Sequence, residues 1–193
     1  MAKGTPDHQG TIGQLKATLN ALRNVINPIF WMQNNADTQN ATVDFKRVYT
    51  ITAKGSIIML YVRINVTSSA QNEENWTIKI ETDSNIKLHK RLTTMFNAGD
   101  YKKDNRSPFL LHTYDTANKI YEFTIFLPFT FDTEFKLTIF GLALNNDTFT
   151  IQVITIFNAD GSYTTDNTLT QGIFGASDEG TEDESGTGET FDL

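Results

Sequence analysis

The stretch "KIYEFTIFLPFTFDTEFKLTIFG", Lys119 to Gly141, decides the fold class. Tyr121, Phe123, Ile125 and Leu127 recur at every second position, with Glu122 and Thr124 between them. Successive side chains of a strand point to opposite faces, so this alternation describes a strand with one face in a core and a wetter one outside. Pro128 has no amide hydrogen to give to a ladder and ends the strand. Phe129 and Phe131 then fall in a connection, and Phe135, Leu137 and Ile139 resume the alternation. Seven of the 21 residues from Tyr121 to Gly141 are aromatic. Core packing accounts for most of them. It leaves Phe126, Phe129, Phe131 and Phe140 unplaced, and these four are candidates for a contact between subunits.

The same period extends outward in both directions. Val43, Phe45, Tyr49 and Ile51 keep it, with Arg47 interrupting the apolar set; Ile58, Leu60, Val62, Ile64 and Val66 keep it without a break. Trp76, Ile78 and Ile80 follow, then Ile86 with Leu88, Phe109 with Leu111, and Phe149, Ile151 and Val153. Met95 to Ser107 reads as a long polar loop. About eight short strands bounded by Gly, Asn and Asp clusters define an all-β protein. The uneven loops favour a jelly-roll-like or Greek-key antiparallel sandwich over residues 43–160.

Residues 1–42 differ. Ile12, Leu15, Leu19, Leu22, Ile26 and Ile29 are spaced alternately three and four apart, the spacing of a heptad seam. Thr11 and Gln14 fit a capping box, and Pro28 disfavours helix at the residue before it. The seam is narrow for a helix lying on its own domain. It suits a short amphipathic helix that either docks on the sandwich or coils with copies of itself. Fewer than three heptads are marginal alone, so a coiled coil would need the β domain to associate too. Ile26 to Met32 is a second apolar cluster, read as a hinge under the sandwich or a docking peptide.

Residues 161–193 read as a loop and then a low-complexity acidic tail. Residues 172–193 carry seven of the 23 acids and no base, which leaves 16 acids against 16 bases elsewhere. The body is therefore neutral. The tail is too polar to offset the entropy of ordering, and disorder is expected for it. No basic stripe of the kind that binds nucleic acid is present in the sequence. Its apolar runs are far short of the ~20 residues of a bilayer span.

Catalytic and metal motifs are weak. There is no cysteine, hence no thiolate site. His8, His89 and His112 lack the spacing of a helical metal pair. No G-x-S-x-G elbow and no glycine-rich phosphate loop occurs. Asn158 to Ser162 reads as a turn, because position twelve of a calcium loop would be Leu169. No enzyme and no cofactor is expected. Trp76, Tyr101 and Tyr114 lie near loops and are candidates for stacking against a glycan.

A helical N-terminal segment, a compact β domain and a flexible polar tail resemble virion structural proteins such as head fibres, spikes and capsid-decoration proteins. The strand, Leu127-Pro128-Phe129 turn and strand of Lys119 to Gly141 look like a unit of viral jelly-roll proteins. The resemblance implies a virion location and a homo-oligomer, most often a trimer. It also implies contacts with other virion proteins, with residues 1–42 as anchor or stalk. The expectation is a non-enzymatic virion component. The alternative is a carbohydrate-binding or adhesive sandwich, whose partner would be a host-surface glycan.

Overall fold

The computed structural model describes residues 14–16, 18, 29–38, 44–66, 76–99, 109–141 and 148–172. Eleven strands are assigned among them: β1 (Ile29–Thr38), β2 (Asp44–Thr52), β3 (Gly55–Val66), β4 (Trp76–Thr82), β5 (Asn85–Arg91), β6 (Phe109–Asp115), β7 (Ile120–Ile125), β8 (Phe129–Phe131), β9 (Glu134–Gly141), β10 (Thr148–Ala159) and β11 (Thr164–Gly172). One short helix, α1 (Leu92–Asn97), follows β5. The strands form two antiparallel sheets. Sheet A has the order β1-β10-β3-β7-β6, with β8 also on β3; sheet B has the order β11-β2-β9-β4-β5.

Setting β6, β8 and β11 aside, eight strands remain, and they pair as nested partners. The first pairs with the last (β1 with β10), the second with the seventh (β2 with β9), the third with the sixth (β3 with β7) and the fourth with the fifth (β4 with β5). This is jelly-roll connectivity, in which a long antiparallel hairpin is wrapped into two sheets. The all-β antiparallel sandwich expected from the alternation is the observed architecture.

The core lies between the sheets and is largely aromatic. Phe45 of β2 stacks on Phe149 of β10 at 4.3 Å, and Trp76 of β4 meets both rings edge-on at 5.2 and 5.6 Å. All three side chains are fully buried. Truncating such a ring leaves a cavity and costs about 3–5 kcal/mol. Gly141 makes room for this cluster. It lies opposite Phe45 on one side and Trp76 on the other, and a Cβ there would stand 2.2 Å from Phe45 Cε1.

Several boundaries differ from the sequence expectation. β1 lies inside residues 1–42, and β11 lies inside residues 161–193, so the sandwich runs from Ile29 to Gly172. Ile29 is therefore not a seam residue. It pairs with Phe157 and packs, with Trp31, against the core. Gln14, Leu15, Lys16 and Thr18 are helical, and Thr18 Oγ1 donates to the Gln14 carbonyl at 2.9 Å. Ile12, Leu19, Leu22, Ile26, Tyr101 and the acidic tail lie outside the described residues.

Met95 belongs to α1 and is buried, because the helix folds its apolar side under the end of the sandwich instead of leaving a loop. Ile58 and Ile86 sit outside the core, although their strands alternate in sequence. Each lies next to a bulge, in the β3–β10 and β4–β5 ladders respectively. One extra residue in a strand reverses the facing of the residues on its far side, so Ile57 takes the inward place instead of Ile58.

Candidate interaction surface

The outer faces of the two sheets differ in what they leave exposed. On sheet B the outward positions of β4 and β9 carry ion pairs, Lys79 with Glu81 at 3.1 Å and Lys136 with Glu134 at 2.8 Å. Thr50 and Thr52 of β2 extend this polar face. The same face also holds Phe140, Thr77 and Thr138, all buried, and Ile86, which is exposed.

Sheet A is different. Phe30 and Met32 of β1 alternate with the inward Ile29 and Trp31, and they are 62% and 51% exposed. The register places Phe30 beside Ile156 and Met32 beside Ile154 of β10. It then places Ile156 beside Met59 and Ile154 beside Tyr61 of β3. Phe126, 49% exposed, leaves the end of β7 one residue after Ile125, which pairs with Leu60. The result is an apolar band crossing β1, β10 and β3, with Phe126 just past the end of β7. Single exposed apolar residues are ordinary, but a contiguous rimmed patch marks an interaction site.

The rim is a polar network on the same face. Tyr61 Oη donates to Glu122 Oε1 at 2.7 Å, and Thr113 Oγ1 donates to Glu122 Oε2 at 3.4 Å. His112 Nε2 and Thr124 Oγ1 are 2.8 Å apart. Burial, and then the hydrogen bond to Glu122, push the Tyr61 phenol up to about 12. Both effects oppose a second negative charge beside a carboxylate. Tyr61 thus joins the apolar band to its polar edge.

The candidate residues from the sequence divide on this surface. Phe126 lies on it. Phe129 and Phe131 do not, because they form β8, pair with Ile57 and Gly55 of β3, and pack in the core against Phe135. Phe140 is buried as well, on the side of β9 away from the core residues Phe135, Leu137 and Ile139. Trp76 is fully buried between Phe45 and Phe149, so it has no ring face to offer a sugar. Tyr114 is half-buried, with one ring face stacked on Phe96 at 4.0 Å. Leu15 is 63% exposed. Sequence alternation does not mark Phe30 and Met32 as surface residues. Their signal lies in the Ile26–Met32 cluster, where apolar residues occupy both faces of a strand.

A second feature lies at the sandwich end. The β4–β5 hairpin turns through Asp83 and Ser84, both with positive φ (50° and 66°), the geometry of a two-residue type I′ turn. Its Asp83 carboxylate reaches the connection between β8 and β9. It accepts from the amides of Asp132 (2.8 Å), Thr133 (2.7 Å) and Glu134 (3.0 Å), and from Thr133 Oγ1 (2.7 Å). The Asp83 amide donates back to the Glu134 carbonyl at 2.9 Å. Four donors on one carboxylate hold it well below the usual carboxylate range. Beside it is an open cavity of about 390 Å³ that Lys54, Asp132 and Asp160 also line. Lys54 pairs with Asp132 at 2.8 Å there. Among the described residues no group of three His, Asp or Glu side chains is placed to hold a metal ion. No described helix is long and apolar enough to cross a membrane.

The fold and surface define an antiparallel jelly-roll sandwich with exposed apolar side chains on the outer face of sheet A. No family profile and no curated protein matches the chain.

Proposed function

We propose that this chain is a non-enzymatic structural component of a virion, a fibre, spike or decoration protein that assembles as a homo-oligomer on the particle. The observation that carries this reading is the group of exposed apolar side chains on the outer face of sheet A, Phe30 and Met32 of β1 beside Ile154, Ile156 and Met59. An assembly subunit buries such a patch against its neighbour. The heptad spacing of Ile12 to Ile26 adds a self-complementary element just before β1 in the sequence, and a trimer is the favoured state. Contacts with other virion proteins then follow from its place on the particle.

Native mass spectrometry of the full chain tests the assembly half of the proposal, and a monomer at tens of micromolar would sink it. Mass spectrometry of purified particles from the source tests the virion half.

An adhesive, glycan-binding role is the second reading. It is favoured by the Tyr114–Phe96 stack, whose Phe96 ring is 43% exposed. A glycan array on which wild type and Phe96→Ala give the same pattern would remove it.

A further inference from the structure

We infer that the apolar band on sheet A is the seat of a second copy of this chain, docked about β1. This rests on the homo-oligomeric reading above and names the surface that performs it. The band is Phe30, Met32, Ile154, Ile156 and Met59, placed side by side by the β1–β10–β3 register, with Phe126 one residue past the end of β7.

Size and chain continuity select the occupant. Three strands about 4.8 Å apart and two side-chain rows about 7 Å apart, with Phe126 beyond them, make a patch of roughly 300 Å². A specific complex needs about 800 Å² from each partner. The band alone is too small, so its occupant must bring a further contact.

The chain itself supplies one. Residues 12 to 26 carry apolar residues alternately three and four apart and end three residues before Ile29, where β1 begins. Such a seam matches copies of itself in parallel. Copies joined through it would release their β1 strands beside one axis, which brings Phe30 and Met32 of one copy against the band of the next. Leu15, the described member of the seam, is 63% exposed, so its own sandwich does not cover it. An unrelated partner would explain the band but not the seam beside it.

The test uses the full-length protein. Phe30→Asp combined with Met32→Asp changes two exposed side chains, and circular dichroism together with the melting temperature checks that the fold is kept. Sedimentation velocity should show wild type as an oligomer. The double variant should be a monomer, or associate at least ~100-fold more weakly, as loss of central interface residues does. Thr52→Asp, on the outer face of sheet B, should sediment as wild type.

Cross-linking gives a readout that does not depend on tolerating charge. The chain has no cysteine, so Met32→Cys provides one thiol. A short bis-maleimide should join two chains through it, and should fail with Thr52→Cys. An oligomeric wild type whose double variant sediments identically, or whose Met32→Cys form gives no covalent dimer, overturns this interface and leaves the homo-oligomeric reading standing. A monomeric wild type overturns both. A monomer whose residue 32 thiol becomes reactive only after residues 1–28 are removed would mean that the chain's own segment covers the band, and that also overturns the inference.

Discussion

Replacing Asp83 with Asn isolates the charge of the turn that ties the two ends of the sandwich together. Asn tolerates the φ of 50° at this position as Asp does, so backbone strain is nearly unchanged. The Asp132 amide donates to Oδ2, while the Thr133 amide, the Thr133 hydroxyl and the Glu134 amide donate to Oδ1. With the Asn oxygen kept at Oδ1, an NH₂ faces the Asp132 amide and that hydrogen bond is lost, at about 1 kcal/mol. The other three become neutral. After allowance for solvent at this half-exposed site they give up about another 1 kcal/mol together. The expected loss is about 2 kcal/mol, which for a domain of this size lowers the melting temperature by about 4–8 °C.

The sign of the pH dependence follows from the depressed pKa. Asp83 binds its proton more weakly in the folded state, so its contribution is fully present above the ordinary carboxylate range and is lost as pH falls below it. Thermal melts of wild type and Asp83→Asn should therefore be furthest apart at pH 7 and converge between about pH 4 and pH 2. Melting temperatures within 1 °C at pH 7, or a gap that holds constant down to pH 2, would refute the assignment of a charged clamp.

Three more variants probe other parts of the structure. Gly141→Ala drives a methyl group to 2.2 Å from the Phe45 ring; chemical denaturation should show a loss of at least about 2 kcal/mol, and a variant as stable as wild type would contradict the packing of Phe45, Trp76 and Phe149. In a spectrophotometric titration Tyr61 should ionise near pH 12, and the Tyr61→Phe variant should lose one tyrosine's amplitude there. Because the folded pKa is raised, the stability from Tyr61 is complete below about pH 10 and fades as pH rises towards 12. A chain beginning at residue 29 should melt cooperatively, whereas one beginning at residue 43 lacks β1, bares the flank of β10 and should aggregate or lose its melting transition.

Much of the fold is legible in the sequence because period-two alternation is a local property. Tyr121 to Ile125 and Phe135 to Ile139 can be assigned without knowing their partners, and both strands bury the residues that their alternation selects. The same locality explains the failures. A bulge depends on the neighbouring strand, so nothing within β3 announces that Ile57 and not Ile58 faces inward. Phe129 and Phe131 look surplus because a three-residue strand has too little period to detect, and only pairing with β3 makes them core. β1 is hidden because apolar residues on both of its faces blur the alternation, and the candidate surface is hidden with it.

By itself, then, the sequence determined that this is an all-β antiparallel protein with a neutral body and an acidic tail, since alternation, turn chemistry and charge are read residue by residue. The tertiary structure alone decided that Ile29 leaves the heptad spacing for a strand, that Trp76 is core, and that Phe30, Met32, Ile156, Met59 and Phe126 share one face. These residues lie far apart along the chain and meet only through the register of β1, β10, β3 and β7. A surface assembled from several strands is a property of their pairing, and no segment carries it alone.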